Sequence, residues 1–282
     1  MDRIHFSLGL YLCLFVLSSC IYTHKKKGID EDSVSVYNSN YQILLPESQL
    51  RSDNEYNTKG DELFDDFLYN YLQDSKFRRI RTIPNLKRVL INGSNHCVTD
   101  EELDSCFQFM SADYITSIYN NDSEKYFKED TALTNVSVER IDLIEKKITT
   151  FNFNRVDGAW MLHEIRMDSF MNSDLADFLL FYSEFTSNSE FQKAHISASI
   201  HISMVDPNDD TQIIDGFISH EQWNAMGTNS IPEGIISNVR YGQKYLNSRR
   251  ILIEKTGMGN GLSETFIFIK GKRGWSLVGY EN

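Results

Sequence analysis

Two segments of the chain carry apolar residues at the spacing of an amphipathic helix. In residues 63–72 the apolar positions recur at i, i+1, i+4, i+5, i+8 and i+9, which places them on one face of a helix. Residues 175–185 carry the same kind of stripe. Acidic residues occupy the first turns of the earlier segment, where the helix dipole favours negative charge. We therefore predict two helices, each with its apolar face in a core.

Strands are predicted chiefly in the second half of the chain. Polar and apolar residues alternate strictly over 195–204, which is typical of a half-buried strand. Residues 206–210 (DPNDD) predict a turn, and 211–219 its hairpin partner. Further strands are expected at 250–255, 265–270 and 275–280, the first two joined by a glycine-rich loop. Residues 99–127 are acidic and aromatic, and we interpret them as helical.

An internal repeat links the two parts of the sequence. Residues 150–162 (TFNFNRVDGAWML) align without a gap with residues 265–277 (TFIFIKGKRGWSL), sharing Thr, two Phe, Trp and Leu. Upstream, Asp66-Phe67-Leu68 matches Asp177-Phe178-Leu179 at nearly the same offset. A period of this size is that of a domain and not of a solenoid repeat. We conclude that one unit is duplicated.

A helix followed by antiparallel strands in each unit indicates an α+β fold. The Asp-Phe-Leu helix and the Thr-Phe-x-Phe…Trp-x-Leu strands resemble the nuclear transport factor 2-like (cystatin-like cone) superfamily. They are similar, more narrowly, to uncharacterised lipoproteins of Gram-negative gut anaerobes that carry this unit in tandem. The resemblance implies two tandem cone-like domains, 59–170 and 171–282, each with N-terminal helices packed on a curved antiparallel sheet. It also implies a pocket between helices and sheet, but no active site.

The N-terminus has the features of an export signal. Residues 8–17 form a ten-residue apolar run, too short for a membrane span of about 20 residues and suited to a signal peptide. The run ends in Leu17-Ser18-Ser19-Cys20, which resembles a bacterial lipobox. That resemblance implies removal of residues 1–19, lipid (diacylglycerol and palmitate) on Cys20, and a membrane partner. An ordinary secretory signal and a spanning helix are the alternatives.

Residues 20–58 predict a flexible tether behind this anchor. They are polar, with three lysines and then three acidic residues. As a flexible coil they would span about 35 Å. We therefore expect an exported protein, lipid-anchored to the cell envelope, at the outer membrane rather than the inner one.

Composition limits the classes of function. The chain has 282 residues, a hydrophobic fraction of 41% and a formal net charge of −12. The hydrophobic fraction excludes wholesale disorder, and the length suits about two domains. The negative charge argues against nucleic-acid binding, which needs clustered Lys and Arg.

Besides acylation of Cys20, the sequence offers candidates for a disulfide and for O-glycosylation. Once residues 1–19 are removed and Cys20 is acylated, Cys97 and Cys106 are the remaining thiols. In an oxidising compartment they either form a disulfide or remain two buried free thiols, and the sequence leaves both open. Ser33 and Thr131 lie in Asp-Ser-Val and Asp-Thr-Ala triplets, which resemble the O-glycosylation sequon of such bacteria. Three residues are a weak pattern.

No catalytic, metal or cofactor motif is complete. His195 and His201 share a strand face but would be about 20 Å apart, too far for one metal. His220-Glu221 begins a zinc motif but lacks the second His. Residues 206–217 lack the Gly and Glu of a calcium loop, and the glycines at 257, 259 and 261 precede a strand instead of a helix.

A basic cluster follows the first helix, and on a chain of net charge −12 we expect it to balance nearby carboxylates; binding of an anionic ligand is the alternative. It consists of Arg78, Arg79, Arg81, Lys87 and Arg88.

The leading hypothesis is a non-enzymatic module that binds a small molecule or a protein, without metal or cofactor. One alternative is a cone-fold enzyme that uses a pocket acid or base, with His163, Glu164 or Tyr280 in that role. His163 and Glu164 are adjacent on a strand and face opposite ways. A carboxylate with a burial-raised pKa in a cleft would favour the enzyme. The other alternative is a structural homodimer that pairs through its sheets.

Overall fold

The computed structural model of the chain describes residues 63–110, 114–206, 208–226, 231–257 and 261–282. We call the described residues up to 172 the first half and those from 173 the second half. The predicted leader (1–19), the tether (20–58), Cys20 and Ser33 lie outside the described residues.

The first half begins with two short helices and ends with three long strands. Its helices are α1 (Phe64–Gln73), α2 (Ser75–Ile80) and α3 (Asp100–Cys106), with 3₁₀ segments Gln108–Met110, Asp122–Glu129 and Phe170–Asn172. Its strands are β1 (Lys87–Val89), β2 (Asn95–Cys97), β3 (Tyr114–Tyr119), β4 (Asn135–Asp142), β5 (Lys147–Val156) and β6 (Ala159–Ser169).

The second half repeats this order of elements. Its helices are α4 (Ala176–Ser187), α5 (Ser189–Ala194) and α6 (His220–Ala225). Its strands are β7 (Ile196–Asp206), β8 (Asp209–Ser219), β9 (Ile235–Arg240), β10 (Arg250–Gly257), β11 (Ser263–Gly271) and β12 (Gly274–Glu281). The predicted helices and strands of this half are confirmed to within a few residues.

The two halves exchange one strand each. The first sheet has the order β2-β1-β6-β5-β4-β9, and the second has the order β3-β10-β11-β12-β7-β8. Strand β9 of the second half thus pairs with β4, and β3 of the first half pairs with β10. Both pairings are antiparallel. Each sheet is therefore completed by the other half.

Both sheets share the same irregularities. Each is antiparallel except for one parallel pair, β1 with β6 in the first sheet and β12 with β7 in the second. A β-bulge lies at His163 in β6, opposite Asn152 and Phe153, and another lies at Val278 in β12, opposite Ile267 and Phe268. Both bulges lie at matching positions opposite the repeated Thr-Phe-x-Phe segment. A bulge bends its strand, so both sheets bend at the same place.

Helix starts are also repeated between the halves. Asp74 caps α2 and Asn188 caps α5, each side chain accepting two backbone N–H groups. Thr99 with Glu102 and Ser219 with Gln222 form capping boxes at the starts of α3 and α6. These caps satisfy backbone donors that a helix leaves unpaired at its first turn. The short helices are therefore fixed locally by their sequences.

Each half has an aromatic core between its first helix and its sheet. Phe64 of α1 packs edge to face on Trp160, and Phe178 of α4 on Trp275, both with ring centroids 5.1 Å apart. The second core also includes Ile141 and Ile148, which belong to strands of the first half. The predicted apolar stripes of both helices are confirmed as core.

The exchanged strands β3 and β9 touch each other through a reciprocal pair of side chains. The backbone N–H of Thr116 donates to Ser237 Oγ at 2.7 Å, and the N–H of Ser237 donates to Thr116 Oγ1 at 2.9 Å. Ser237 Oγ also donates to the carbonyl of Thr116 at 3.0 Å. Beside this pair, the N–H of Ile118 donates to Asn238 Oδ1 at 2.9 Å. All these groups are buried, so the two halves are joined by satisfied polar contacts.

One structural prediction is wrong in part. Within residues 99–127 we expected helix, but Tyr114–Tyr119 (YITSIY) forms β3. The segment is rich in β-branched and aromatic residues, which favour strands, and the acidic residues on both sides obscured that signal. The predicted division into two tandem domains at residue 170 stays a prediction.

We predict that Ser237→Ala destabilises the fold, because it leaves the buried backbone N–H of Thr116 without an acceptor. The free energy of unfolding should fall by about 1–3 kcal/mol. Urea unfolding of chain 20–282 carrying Cys20→Ala measures it. The control Ser105→Ala removes an exposed hydroxyl and should change stability by less than about 0.5 kcal/mol. An equal loss of stability in both variants would contradict a stabilising role for the contact between Thr116 and Ser237.

Candidate functional site

A buried group of three polar side chains lies on the helix-covered face of the second sheet. Lys255 of β10 and Glu264 of β11 are cross-strand partners, and Nζ lies 2.8 Å from Glu264 Oε2. The hydroxyl of Tyr280 on β12 donates to Glu264 Oε1 at 2.8 Å. The exposed fraction of Lys255 is 8% and that of Glu264 is 7%. We call these three residues the Lys–Glu–Tyr cluster.

Aromatic rings surround the cluster. Lys255 Nζ lies 4.7 Å from the ring centroid of Tyr114, which belongs to β3 of the first half. The Trp223 ring of α6 packs edge to face on Tyr280 at 5.6 Å. Burial, with the hydrogen bond to Glu264, raises the pKa of Tyr280. The hydroxyl therefore keeps its proton and acts as a hydrogen-bond donor.

The first sheet provides an internal comparison for the cluster. Matching register pairs place Arg140, Thr149 and Ile165 where the second sheet has Lys255, Glu264 and Tyr280. Arg140 is half-buried and pairs with Asp142. The same sheet is therefore built without a buried Lys–Glu pair. Because a buried ion pair is seldom better for stability than apolar residues of similar size, the cluster has no evident structural reason.

A second charged network lies on the other face of the first sheet. Arg240 of β9 contacts Glu139 Oε1 at 3.2 Å and Asp174 Oδ2 at 2.9 Å, and Asn238 Nδ2 donates to Glu139 Oε2 at 2.8 Å. Burial raises the pKa of Glu139 against the attraction of Arg240. Glu139, Asp174 and Arg240 line a groove of about 340 Å³. Since β4 carries Glu139 and β9 carries Arg240, this network fastens the exchanged strand.

A third polar group joins the first helix to the chain after β9. The hydroxyl of Tyr241 donates to Asp65 Oδ1. Burial raises the pKa of Asp65, an effect that this hydrogen bond opposes. Asp65 thus ties α1 of the first half to a segment of the second half.

Of the three acid or base candidates from the sequence, only Tyr280 lies on a covered sheet face. His163 is exposed, and Glu164 pairs with Arg166 at 2.9 Å. The structure therefore does not bring these candidates together.

The histidine and turn motifs have structural roles where they are described. His195 ends α5, and its Nδ1 lies 2.8 Å from the carbonyl of Phe191. His220 and Glu221 begin α6 directly after the Ser219 cap. Asp206 accepts from the N–H of Asn208 in the β7–β8 turn. Residues 258–260 of the glycine loop lie outside the described residues.

The expectation for the basic cluster is confirmed at three of its members. Arg78 and Arg79 each contact Asp104 at 2.7 Å, and Arg88 Nη1 lies 3.7 Å from Glu102. These carboxylates belong to α3. The cluster therefore holds α3 against α2 and β1.

Cys97, Cys106 and Thr131 are the described candidates for modification. Cys97 is exposed, Cys106 is half-buried, and both are free thiols. Arg88 Nη2 lies 2.6 Å from Cys106 Sγ. Thr131 is exposed and its backbone carbonyl accepts from Arg155. The disulfide and the O-glycosylation stay predictions.

Lys255 and Glu264 were missed by motif searching, but the sequence contained a signal. On one face of β10 the apolar residues Ile251 and Ile253 are followed by Lys255, and on β11 Glu264 precedes Phe266 and Phe268. A charged residue two positions along a strand from an apolar one lies on the same face, so it is predicted to be buried with it. Two charged residues of opposite sign in such positions on neighbouring strands indicate a buried ion pair.

The described residues contain neither a metal-binding cluster nor a membrane-spanning helix. No set of three or more His, Cys, Asp and Glu side chains there could hold a metal ion. None of the helices described is both long and apolar enough to cross a membrane.

Comparison with known proteins places the chain among uncharacterised relatives. One family model, described as "Domain of unknown function (DUF4348)", matches residues 46–282. Among solved structures, an NTF2-like protein from Bacteroides fragilis NCTC 9343 is similar, with 29% sequence identity and a TM-score of 0.70. The match covers 79% of this chain and 96% of that one. It confirms the predicted cone-like α+β fold. No curated protein matches.

We predict that the Lys–Glu–Tyr cluster is dispensable for folding. The triple variant Lys255→Met, Glu264→Leu, Tyr280→Phe should be at least as stable as the unmodified chain, because no buried polar group of the cluster remains. Glu264→Ala alone should lose about 3 kcal/mol or more, because it leaves Lys255 without this partner. Urea unfolding of chain 20–282 with Cys20→Ala compares them. A triple variant less stable than Glu264→Ala would mean that the cluster is structural.

Proposed function

The chain belongs to this family of unknown function, and from that premise we propose that it is a lipid-anchored, non-enzymatic binding protein of the cell envelope. Its ligand would be a small polar molecule held at the Lys–Glu–Tyr cluster. The observation that carries the proposal is the presence of this buried cluster in the second sheet and its replacement by Arg140, Thr149 and Ile165 in the first.

The chemistry of the cluster suits a ligand with both donor and acceptor groups. Lys255 and Tyr280 donate hydrogen bonds and Glu264 accepts them. In a site lined by aromatic rings these few polar groups would orient a ligand, as is usual in small-molecule pockets. The anionic group of a ligand would replace Glu264 as the partner of Lys255, while the hydroxyl of Tyr280 would continue to donate to Glu264.

Export and anchoring are supported by the sequence alone. The apolar run 8–17 and Leu17-Ser18-Ser19-Cys20 support removal of residues 1–19 and acylation of Cys20. The tether 20–58 would hold the folded part about 35 Å from the bilayer. We assign the protein to the outer membrane rather than the inner one.

An acid/base enzyme is the second candidate, and one observation favours it. Burial raises the pKa of Glu139, which is the direction that favours a general base, and Glu139 lines a groove. Both of its oxygens, however, already accept hydrogen bonds from β9. This engagement makes it less suited to proton transfer than to holding the strand.

A homodimer that pairs through its sheets is the third candidate. Ile213 and Phe217 on the edge strand β8 are 67% and 72% exposed. Their register with Val205 and His201 places both on one face of the β7–β8 hairpin. An exposed apolar edge strand is a common site of strand pairing.

We predict that Cys20→Ala releases the protein from the membrane. In a Gram-negative host that exports the chain, the unmodified protein should be in the membrane fraction and incorporate labelled palmitate. Cys20→Ala should lose both, because the thiol that the lipobox presents for acylation is removed. Cys13→Ala is the matched control and should keep both, since Cys13 lies in the apolar run. Palmitate on Cys20→Ala would contradict the assignment.

We predict that the exported full chain retains a ligand in native mass spectrometry. The unmodified chain should show a mass excess that disappears on denaturation. The triple variant of the Lys–Glu–Tyr cluster should lack it, while Arg140→Met, the equivalent position of the first sheet, should retain it. An excess that persists in the triple variant would place the ligand elsewhere. A bare dimer would favour pairing through the sheets.

A further inference from the structure

A long groove runs beside helix α4 where the two halves meet. It consists of two cavities of about 530 and 380 Å³, which share Thr186, Ser187 and Glu233. One wall is α4, and the other is formed by the β4–β5 turn together with residues 231–234. The groove is separate from the Lys–Glu–Tyr cluster and shares no residue with it.

The walls of the groove are tied together by hydrogen bonds. Ser183 Oγ of α4 donates to the carbonyl of Leu143 at 2.7 Å, and the N–H of Leu143 donates to the carbonyl of Gly234 at 2.9 Å. The hydroxyl of Tyr182 donates to the carbonyl of Pro232 at 2.7 Å. A groove whose walls are fixed in advance loses little conformational entropy on binding.

Exposed apolar and acidic side chains line this groove. Ile144 is 77% exposed and Leu180 is 38% exposed. Glu184 is on the α4 wall and Glu233 on the opposite one, and both are exposed. Lys146, in the β4–β5 turn, is the basic residue of the larger cavity. The groove therefore offers two carboxylates, one ammonium group and an apolar strip.

We propose that this groove binds an extended polypeptide segment in which Lys or Arg alternates with apolar residues. A cationic side chain would lie between Glu184 and Glu233, and its apolar neighbours would cover Ile144 and Leu180. Two cavities that join through three shared lining residues suit an extended chain better than a compact small molecule. Two carboxylates against one ammonium group, on a chain of net charge −12, favour a basic partner over nucleic acid.

The test uses two synthetic peptides and ¹⁵N-labelled chain 20–282 carrying Cys20→Ala. The peptides are acetyl-Leu-Lys-Leu-Lys-Leu-amide and its counterpart with Glu in place of Lys. The Lys peptide should give saturable amide shifts at α4, the β4–β5 turn and residues 231–234. The double variant Glu184→Gln, Glu233→Gln should raise the Kd of the Lys peptide about 5-fold. The control Glu101→Gln, Glu129→Gln removes two exposed carboxylates outside the groove and should leave Kd within about 2-fold.

Three results would overturn the proposal. They are equal binding of the Lys and Glu peptides, shifts centred outside the groove, and no saturable shift up to about 5 mM peptide. Because the groove and the Lys–Glu–Tyr cluster share no residue, the triple variant of the cluster should bind the Lys peptide with unchanged Kd. A result that overturns peptide binding at the groove would therefore not contradict the proposal of a small-molecule ligand at the Lys–Glu–Tyr cluster.

Discussion

The exchange of β3 and β9 is the constraint on which the rest of the structure depends. Each sheet has five strands of its own half and one strand of the other, and the borrowed strand lies next to β4 or β10. Where β3 and β9 touch, the side chains of Thr116 and Ser237 form hydrogen bonds with each other's buried backbone groups. Breaking the exchange would leave two sheet edges and this buried pair without partners, at a cost comparable to the whole stability of a small domain. The two halves are therefore coupled in stability.

The same exchange makes the polar sites composite. Tyr114 of β3 lies beside Lys255, so the covered face of the second sheet is completed by a ring of the first half. Glu139 of β4 is bound by Asn238 and Arg240 of β9. The groove beside α4 has one wall from the β4–β5 turn. Each of these three places therefore includes residues of both halves.

Much of the fold was predictable because it is encoded locally. The stripes of α1 and α4, the alternation of β7 and the repeated Thr-Phe-x-Phe segment each depend on side chains close in sequence. Strand β3 was missed because its six residues lie between acidic segments that resemble helix. The exchange could not be predicted, since the pattern of β3 is the same whichever sheet it joins. The Lys–Glu pair could have been predicted, because Lys255 and Glu264 occupy positions on the apolar faces of their strands. That prediction, however, first requires the pairing of β10 with β11.

The pairing of β3 with β10 also determines the order in which the fold can be completed. Ile118 pairs with Ile253, so β3 has no partner strand until 135 further residues have been made. At a synthesis rate of roughly 5–20 residues per second, that is on the order of ten seconds. During this interval an apolar strand has both edges open, and such edges promote aggregation. The order of the elements therefore leaves β3 open to aggregation until β10 is available.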